Sequence, residues 1–157
     1  MEPVPYTITD SPVGELLLTG DGRALTRVGL SPFTVPEGAE PAPELFTDAV
    51  EQLDAYFAGD LTEFSLPLAP EGTDFQRRVW RELAAVPYGT TVGYRDIAAA
   101  LGSPGAARAV GKANNRNPLP IVVPCHRVVG ADGAMVGYGG GVERKEFLLR
   151  LEGVLLW

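Results

Sequence analysis

The 157-residue chain has one cysteine, one histidine and two methionines. A single cysteine cannot close an internal disulfide, which fits a reducing compartment. One cysteine and one histidine cannot supply the three or four Cys and His ligands of a zinc site, and no carboxylate spacing suggests another metal. Long apolar runs are also missing. The longest is five residues, Ile97 to Leu101, against the roughly 20 that a spanning helix needs. The opening MEPVPYTITD has an acidic residue and prolines where a secretory signal has a basic end and an apolar core. These absences predict a soluble, cytoplasmic protein with no membrane partner and no metal.

What remains is globular: 45% of the residues are apolar, enough for one sizeable domain or two small ones. The net charge of −7 is unevenly placed. Residues 1–74 hold 14 acidic and two basic residues, a net of −12. Residues 75–127 hold Arg77, Arg78, Arg81, Arg95, Arg108, Lys112, Arg116 and Arg127 against Glu82 and Asp96, a net of +6. A phosphate-facing segment on an acidic body has this distribution. Solvated arginines on helix surfaces would produce it too.

The pattern of elements divides at the same place. Short alternating runs (YTITD, ELLLT and ALTRVGL) separated by SPVG and GDGR predict β-strands and turns between Tyr6 and Leu30. A proline-rich loop follows. PELFTDAVEQLDAYFAGD then places Leu45, Phe46, Ala49, Leu53, Tyr56 and Phe57 at helical spacing, stopped by Gly59. LTEFSLPLAP reads as a further short strand. Beyond residue 72 the pattern turns helical, with Asp74 placed to cap a helix bearing Phe75, Val79, Trp80 and Leu83 on one face. Two shorter helices follow, Tyr94–Leu101 and Ala106 to about Asn115, joined by a tight turn at 102–105. That is a helix-turn-helix spacing. The second helix begins AARAVGK, so Ala106 and Ala107 leave Arg108 free to approach a groove. A plain helical hairpin in a core is the competing reading.

The only cysteine and the only histidine are neighbours, in IVVPCHRVVG. A cysteine nucleophile acts as thiolate, and a free thiol near pKa 8.5 is only a few per cent ionised at neutral pH. A base within hydrogen-bond reach, itself oriented by a third group, corrects this. Adjacent residues on an extended strand point to opposite sides. Cys125 and His126 can therefore cooperate only across a bend, directly or through a water, and Pro124 supplies a bend. A lone cysteine packed as a small hydrophobe is the alternative.

PYGTTVGY, AARAVGKANNRNP, PIVVPCHRVVGADG and GYGGGVERKEFLLRLEG together resemble the O6-alkylguanine-DNA alkyltransferase family, densely from about Phe75 to Gly153. The resemblance implies an α/β chain: a small ribonuclease-H-like sheet-plus-helix domain, residues 1–72, then a mostly helical, winged-helix-like domain, residues 73–157. The second domain would carry both the helix-turn-helix and the acceptor site. The implied activity is irreversible transfer of an alkyl group from O6-alkylguanine, with O4-alkylthymine a second candidate, to the protein itself. The partner is alkylated double-stranded DNA. No cofactor and no obligate protein partner are implied, and the chain is expected to be a monomer.

By the same resemblance Cys125 is the acceptor and His126 the base acting through a water. Glu152 orients His126, and Asn117 braces the acceptor turn. Arg108 is the finger that replaces the extruded nucleotide, and Tyr94 meets the flipped guanine. Pro120, Val128 and Tyr138, with the loop through Gly139 and Gly140, form the pocket. Two departures matter. The zinc ligands of one family branch are absent, and Gly139 stands where some members have serine. Two other readings remain open at this point, a non-catalytic lesion-binding relative and a cysteine hydrolase.

Overall fold

A computed structural model describes residues 3–130, 138 and 140–154. The chain forms two compact units that divide between Glu71 and Gly72. Among the described residues no helix is long and apolar enough to cross a membrane.

The first unit is a four-stranded sheet with a helix. Strands β1 (Pro5–Thr9), β2 (Leu16–Gly20) and β3 (Leu25–Leu30) form an antiparallel meander, and a two-residue β4 (Glu40–Pro41) pairs parallel to β1. The order is β3-β2-β1-β4. All five residues of β2 are buried, which is why this central strand reads as a run of leucines rather than an alternation. Gly20 ends β2 where a Cβ would lie 2.7 Å from the Ala24 carbonyl oxygen, so the hairpin closes only on glycine there.

Helix α1 (Thr47–Phe57) buries Ala49, Leu53 and Tyr56. Phe46 is buried just before it, while Leu45 is 51% exposed. The expected apolar stripe fails at Leu45 because Pro43–Phe46 is a 3₁₀ turn, which rotates each residue further than an α-helix does. The expected strand in LTEFSLPLAP reduces to a single bridge. Leu25 N–H donates to Pro67 O at 2.9 Å and Ala69 N–H to Leu25 O at 2.9 Å. Pro67 and Pro70 have no N–H with which to extend the ladder.

The second unit opens with α2 (Asp74–Ala84), which buries Val79, Trp80 and Leu83. Its cap is Thr73 rather than the expected Asp74. The Gln76 N–H donates to Thr73 Oγ1 at 3.1 Å and the Thr73 N–H donates to Gln76 Oε1 at 2.9 Å, a reciprocal capping box. Trp80 Nε1 donates to Ala113 O at 2.9 Å and ties α2 to the later helix that carries Ala113. Helix α3 (Tyr94–Ala100) and helix α4 (Ala107–Asn115) are joined through a 3₁₀ turn at Pro104–Ala106, so Ala106 precedes the second helix rather than starting it.

One short parallel pairing fixes the strand that follows the Cys125 turn. Strand β5 (Val92–Gly93) runs parallel to β6 (Val128–Val129), with Val92 opposite Val128 and Gly93 opposite Val129. Tyr94 follows β5 directly, and the Cys125–Arg127 turn precedes β6 directly. Helix α5 (Val142–Leu151) then buries Lys145, Leu148 and Leu149, and Glu152 lies just past its end.

Because the Thr73 box satisfies two otherwise orphaned backbone groups, we predict that Thr73→Ala costs about 1 kcal/mol in urea unfolding. Thr73→Ser should stay within a few tenths of wild type. Equal losses in both variants would contradict the capping role.

Candidate active site

The loop before Cys125 is shaped by one side chain. Asn117 Nδ2 donates to Val123 O at 2.8 Å, and Asn117 Oδ1 accepts from Leu119 N–H at 3.0 Å. Val123 N–H donates back to Leu119 O at 2.8 Å. Between these ties Ile121 is held at φ 76°, a left-handed conformation that a β-branched residue resists. Its side chain is buried, so packing and the Asn117 ties together hold the strain. Pro124 then leads into a 3₁₀ turn, Cys125–Arg127, closed by Arg127 N–H donating to Pro124 O at 3.0 Å. This is the bend that adjacency of Cys125 and His126 requires.

Cys125 is buried, and burial pushes its thiol up to about 11. A hydrogen bond to Asn117 and the positive charge of Lys145 act in the opposite direction. The resting group is therefore a thiol, and it needs a proton acceptor to become a nucleophile.

His126 is fully buried, with Nε2 2.7 Å from Glu152 Oε2. An ionised carboxylate only accepts, so Nε2 carries the proton and Nδ1 keeps its lone pair. Nδ1 is buried and has no protein partner. Burial lowers the His126 pKa below its ordinary value, the hydrogen bond and charge of Glu152 oppose that, and Arg127 and Lys145 add to the lowering. The imidazole is neutral and its open nitrogen is a base.

Glu152 is buried and fully engaged. Arg127 Nε donates to Oε1 at 2.8 Å and Nη2 to Oε2 at 3.0 Å, and Gly89 N–H reaches Oε1 at 3.4 Å. Lys145, also fully buried, donates from Nζ to Val128 O at 2.6 Å. Burial lowers its pKa, and negative charge at Cys125 raises it. Arg127 and Lys145 together outnumber Glu152 by one positive charge. A thiolate at Cys125 would balance that excess.

Tyr94 and Tyr138 face the same centre. Burial raises both phenols, and negative charge at Cys125 raises each further. The Tyr138 hydroxyl is buried without a partner. Pro120 and Val128 are buried in the same segment, and Gly140 O accepts from Arg144 Nη1 at 3.4 Å. Gly139 lies outside the described residues. Arg108 stands exposed in the first turn of α4, with Ala106 and Ala107 half-buried beside it.

Comparison with known proteins identifies the family. Residues 74–154 match the 6-O-methylguanine DNA methyltransferase DNA-binding domain, and residues 4–70 match the ribonuclease-like domain of 6-O-methylguanine DNA methyltransferase. The chain belongs to the 6-O-methylguanine DNA methyltransferase family. The methylated-DNA–protein-cysteine methyltransferase of Mycobacterium bovis is 52% identical over 152 residues, covering 95% of this chain and 92% of the relative. The constitutive methylated-DNA–protein-cysteine methyltransferase of Bacillus subtilis is 46% identical, covering 94% of each. The crystal structure of Mycobacterium tuberculosis OGT in complex with DNA is similar with a TM-score of 0.90 at 53% identity, covering 94% of this chain and 92% of that one.

Within this methyltransferase fold, sequence reasoning missed three residues. Arg127 counts as one more cation in the basic segment, yet it is buried against Glu152 rather than facing solvent. The other seven basic residues of 75–127 are exposed. Lys145 was detectable: Lys145, Leu148, Leu149 and Glu152 fall at i, i+3, i+4 and i+7, a helical stripe with two charges on its buried face. Asn114 donates from Nδ2 to Cys125 O at 3.4 Å, and no sequence signal marks it.

The lowered His126 pKa has a stability consequence. The unfolded chain takes up a proton near pH 6.5 and the folded chain resists it, so stability falls as pH drops below that value. We predict that wild type loses up to about 1 kcal/mol per pH unit there, and that His126→Gln loses measurably less in urea unfolding from pH 7.5 to pH 5. Parallel pH profiles for the two proteins would contradict a neutral, buried His126.

Proposed function

We propose that this chain is a single-turnover DNA repair protein, a methylated-DNA–protein-cysteine S-methyltransferase whose acceptor is Cys125. The observation that carries the reading is a buried thiol beside a neutral imidazole whose Nε2 is committed to Glu152. That leaves Nδ1 as the one open base. Residues 1–72 form the ribonuclease-like domain and residues 73–157 the domain that binds alkylated duplex DNA and reacts with it.

An alkyl group on a base is out of reach inside a duplex, so the nucleotide is turned out into a pocket. Exposed Arg108, flanked by Ala106 and Ala107, enters the stack in its place and offsets the unstacking cost. Tyr94, close enough to Cys125 for their charges to interact, hydrogen-bonds the extruded base, and Pro120, Val128, Tyr138 and Gly140 enclose the alkyl group.

The Cys125 proton passes through one water to His126 Nδ1. The thiolate attacks the alkyl carbon in line, an S–C bond forms, and the C–O bond to guanine breaks. The guanine takes the electron pair and is reprotonated from solvent, the proton that His126 took from Cys125 being released in turn, which leaves unmodified guanine in the DNA. The thioether has no leaving group of comparable ease, so each chain reacts once. The protein works as a cytoplasmic monomer and needs no cofactor for this sequence of steps.

We predict that Cys125→Ser abolishes transfer from an O6-methylguanine duplex while still binding it. Arg108→Ala should slow transfer from duplex about a hundredfold, the kinetic equivalent of a few kcal/mol of extrusion cost. Its reaction with free O6-benzylguanine, which needs no extrusion, should stay near wild type. Residual stoichiometric transfer by the serine variant, or equal losses on both substrates for Arg108→Ala, would count against the assignments.

A further inference from the structure

The PYG segment that opens the PYGTTVGY motif takes no part in the steps above, yet it wraps one side of the buried charge cluster. Val86 O accepts from Arg127 Nη1 at 2.7 Å. The Tyr88 ring lies 5.6 Å from the Arg127 guanidinium carbon, a cation–π distance, and the Tyr88 hydroxyl reaches Leu151 O at 3.5 Å. Gly89 N–H points at Glu152 Oε1 at 3.4 Å. The turn from Val86 to Gly89 thus holds both partners of the Arg127–Glu152 pair, while His126 meets the same carboxylate at Oε2.

We propose that Arg127, seated by the Val86–Gly89 turn, is a positioning residue for alkyl transfer: it fixes the Glu152 carboxylate so that His126 keeps its proton on Nε2 and its lone pair on Nδ1. The geometry supports this in two ways. A guanidinium fork that grips both carboxylate oxygens sets the plane of the carboxylate, which a single point charge cannot do. Arg127 Nη2 and His126 Nε2 also share Oε2, at 3.0 and 2.7 Å, so the arginine limits how strongly Glu152 draws on the imidazole.

The groups that face His126 are Glu152 after α5, Arg127 on its own turn, and Lys145 within α5. Glu152 favours the imidazolium, while both cations and burial disfavour it. Arg127 therefore helps keep His126 unprotonated and ready to accept the Cys125 proton. The inference rests on the alkyl-transfer reading, in which His126 is the base. It adds Arg127 and the PYG turn to the parts that set when that base works.

The test is the rate of alkyl transfer from free O6-benzylguanine to Cys125 as a function of pH, read by intact mass. Arg127→Lys keeps the charge but loses the fork, and the account predicts a plateau rate lower by about tenfold. The acid limb of its profile should move to higher pH, because an oxygen released from the fork binds the imidazole more strongly. Arg127→Met should move the limb further. If Arg127→Met does not fold by circular dichroism, Tyr88→Ala serves in its place. That side chain is only half-buried, and removing the ring lets water reach the pair and relieves the burial that holds the His126 pKa down.

Rates that fall by one factor at every pH, with the limb unmoved, would make Arg127 a purely structural residue and overturn the proposal. Unchanged rates would overturn it as well. Absence of transfer by the wild-type protein, run in parallel, would instead refute the alkyl-transfer reading beneath it.

Discussion

A single buried carboxylate organises the second half of this protein. Glu152 takes hydrogen bonds from His126, from two nitrogens of Arg127 and from the Gly89 backbone. Those three partners come from two different stretches of chain, and Glu152 itself lies just past the end of α5. A buried charge that lost one of these partners would be expensive, since breaking a buried pair from one side typically costs about 3–5 kcal/mol. The carboxylate therefore fixes where α5, the Cys125–Arg127 turn and the Val86–Gly89 turn meet. Placement of the acceptor thiol follows from that junction.

The charge count within the cluster explains how an apolar setting can still yield a nucleophile. Burial alone disfavours a thiolate, which is the direction in which Cys125 is shifted. Lys145 and Arg127 leave the surroundings one positive charge in excess of Glu152, so proton transfer from Cys125 to His126 creates the anion beside cations already in place. In the proposed reaction the thiol is protonated at rest and ionises only through the relay to His126. Once alkylated, Cys125 can no longer carry that negative charge, and the excess positive charge stays in place.

Sequence and structure agree most where a residue is rare or a pattern is local. The adjacency of the only Cys and only His marked the centre, and the three N-terminal strands and α1 followed from turn residues and spacing. Glu152 was different. Read on its own it is a carboxylate near the end of the chain, and only the family resemblance raised it, although its place on the α5 stripe with Lys145 was there to be seen. Arg127 was invisible because a net-charge count cannot separate a buried, paired arginine from an exposed one. The two-residue strands β4 and β5 depend on pairing across long separations and leave no periodicity. The strand expected in LTEFSLPLAP had the right alternation but lacked the backbone donors.

The central claim is that the buried thiol of Cys125, deprotonated through His126, is the acceptor in a stoichiometric transfer. The most direct measurement is intact mass after mixing the wild-type protein with excess duplex DNA containing one O6-methylguanine, followed by peptide mapping. The account predicts one added methyl per chain, located on Cys125, with no further gain on longer incubation. A modified duplex bound tightly with no added mass, or continued turnover with no methyl retained on Cys125, would contradict it.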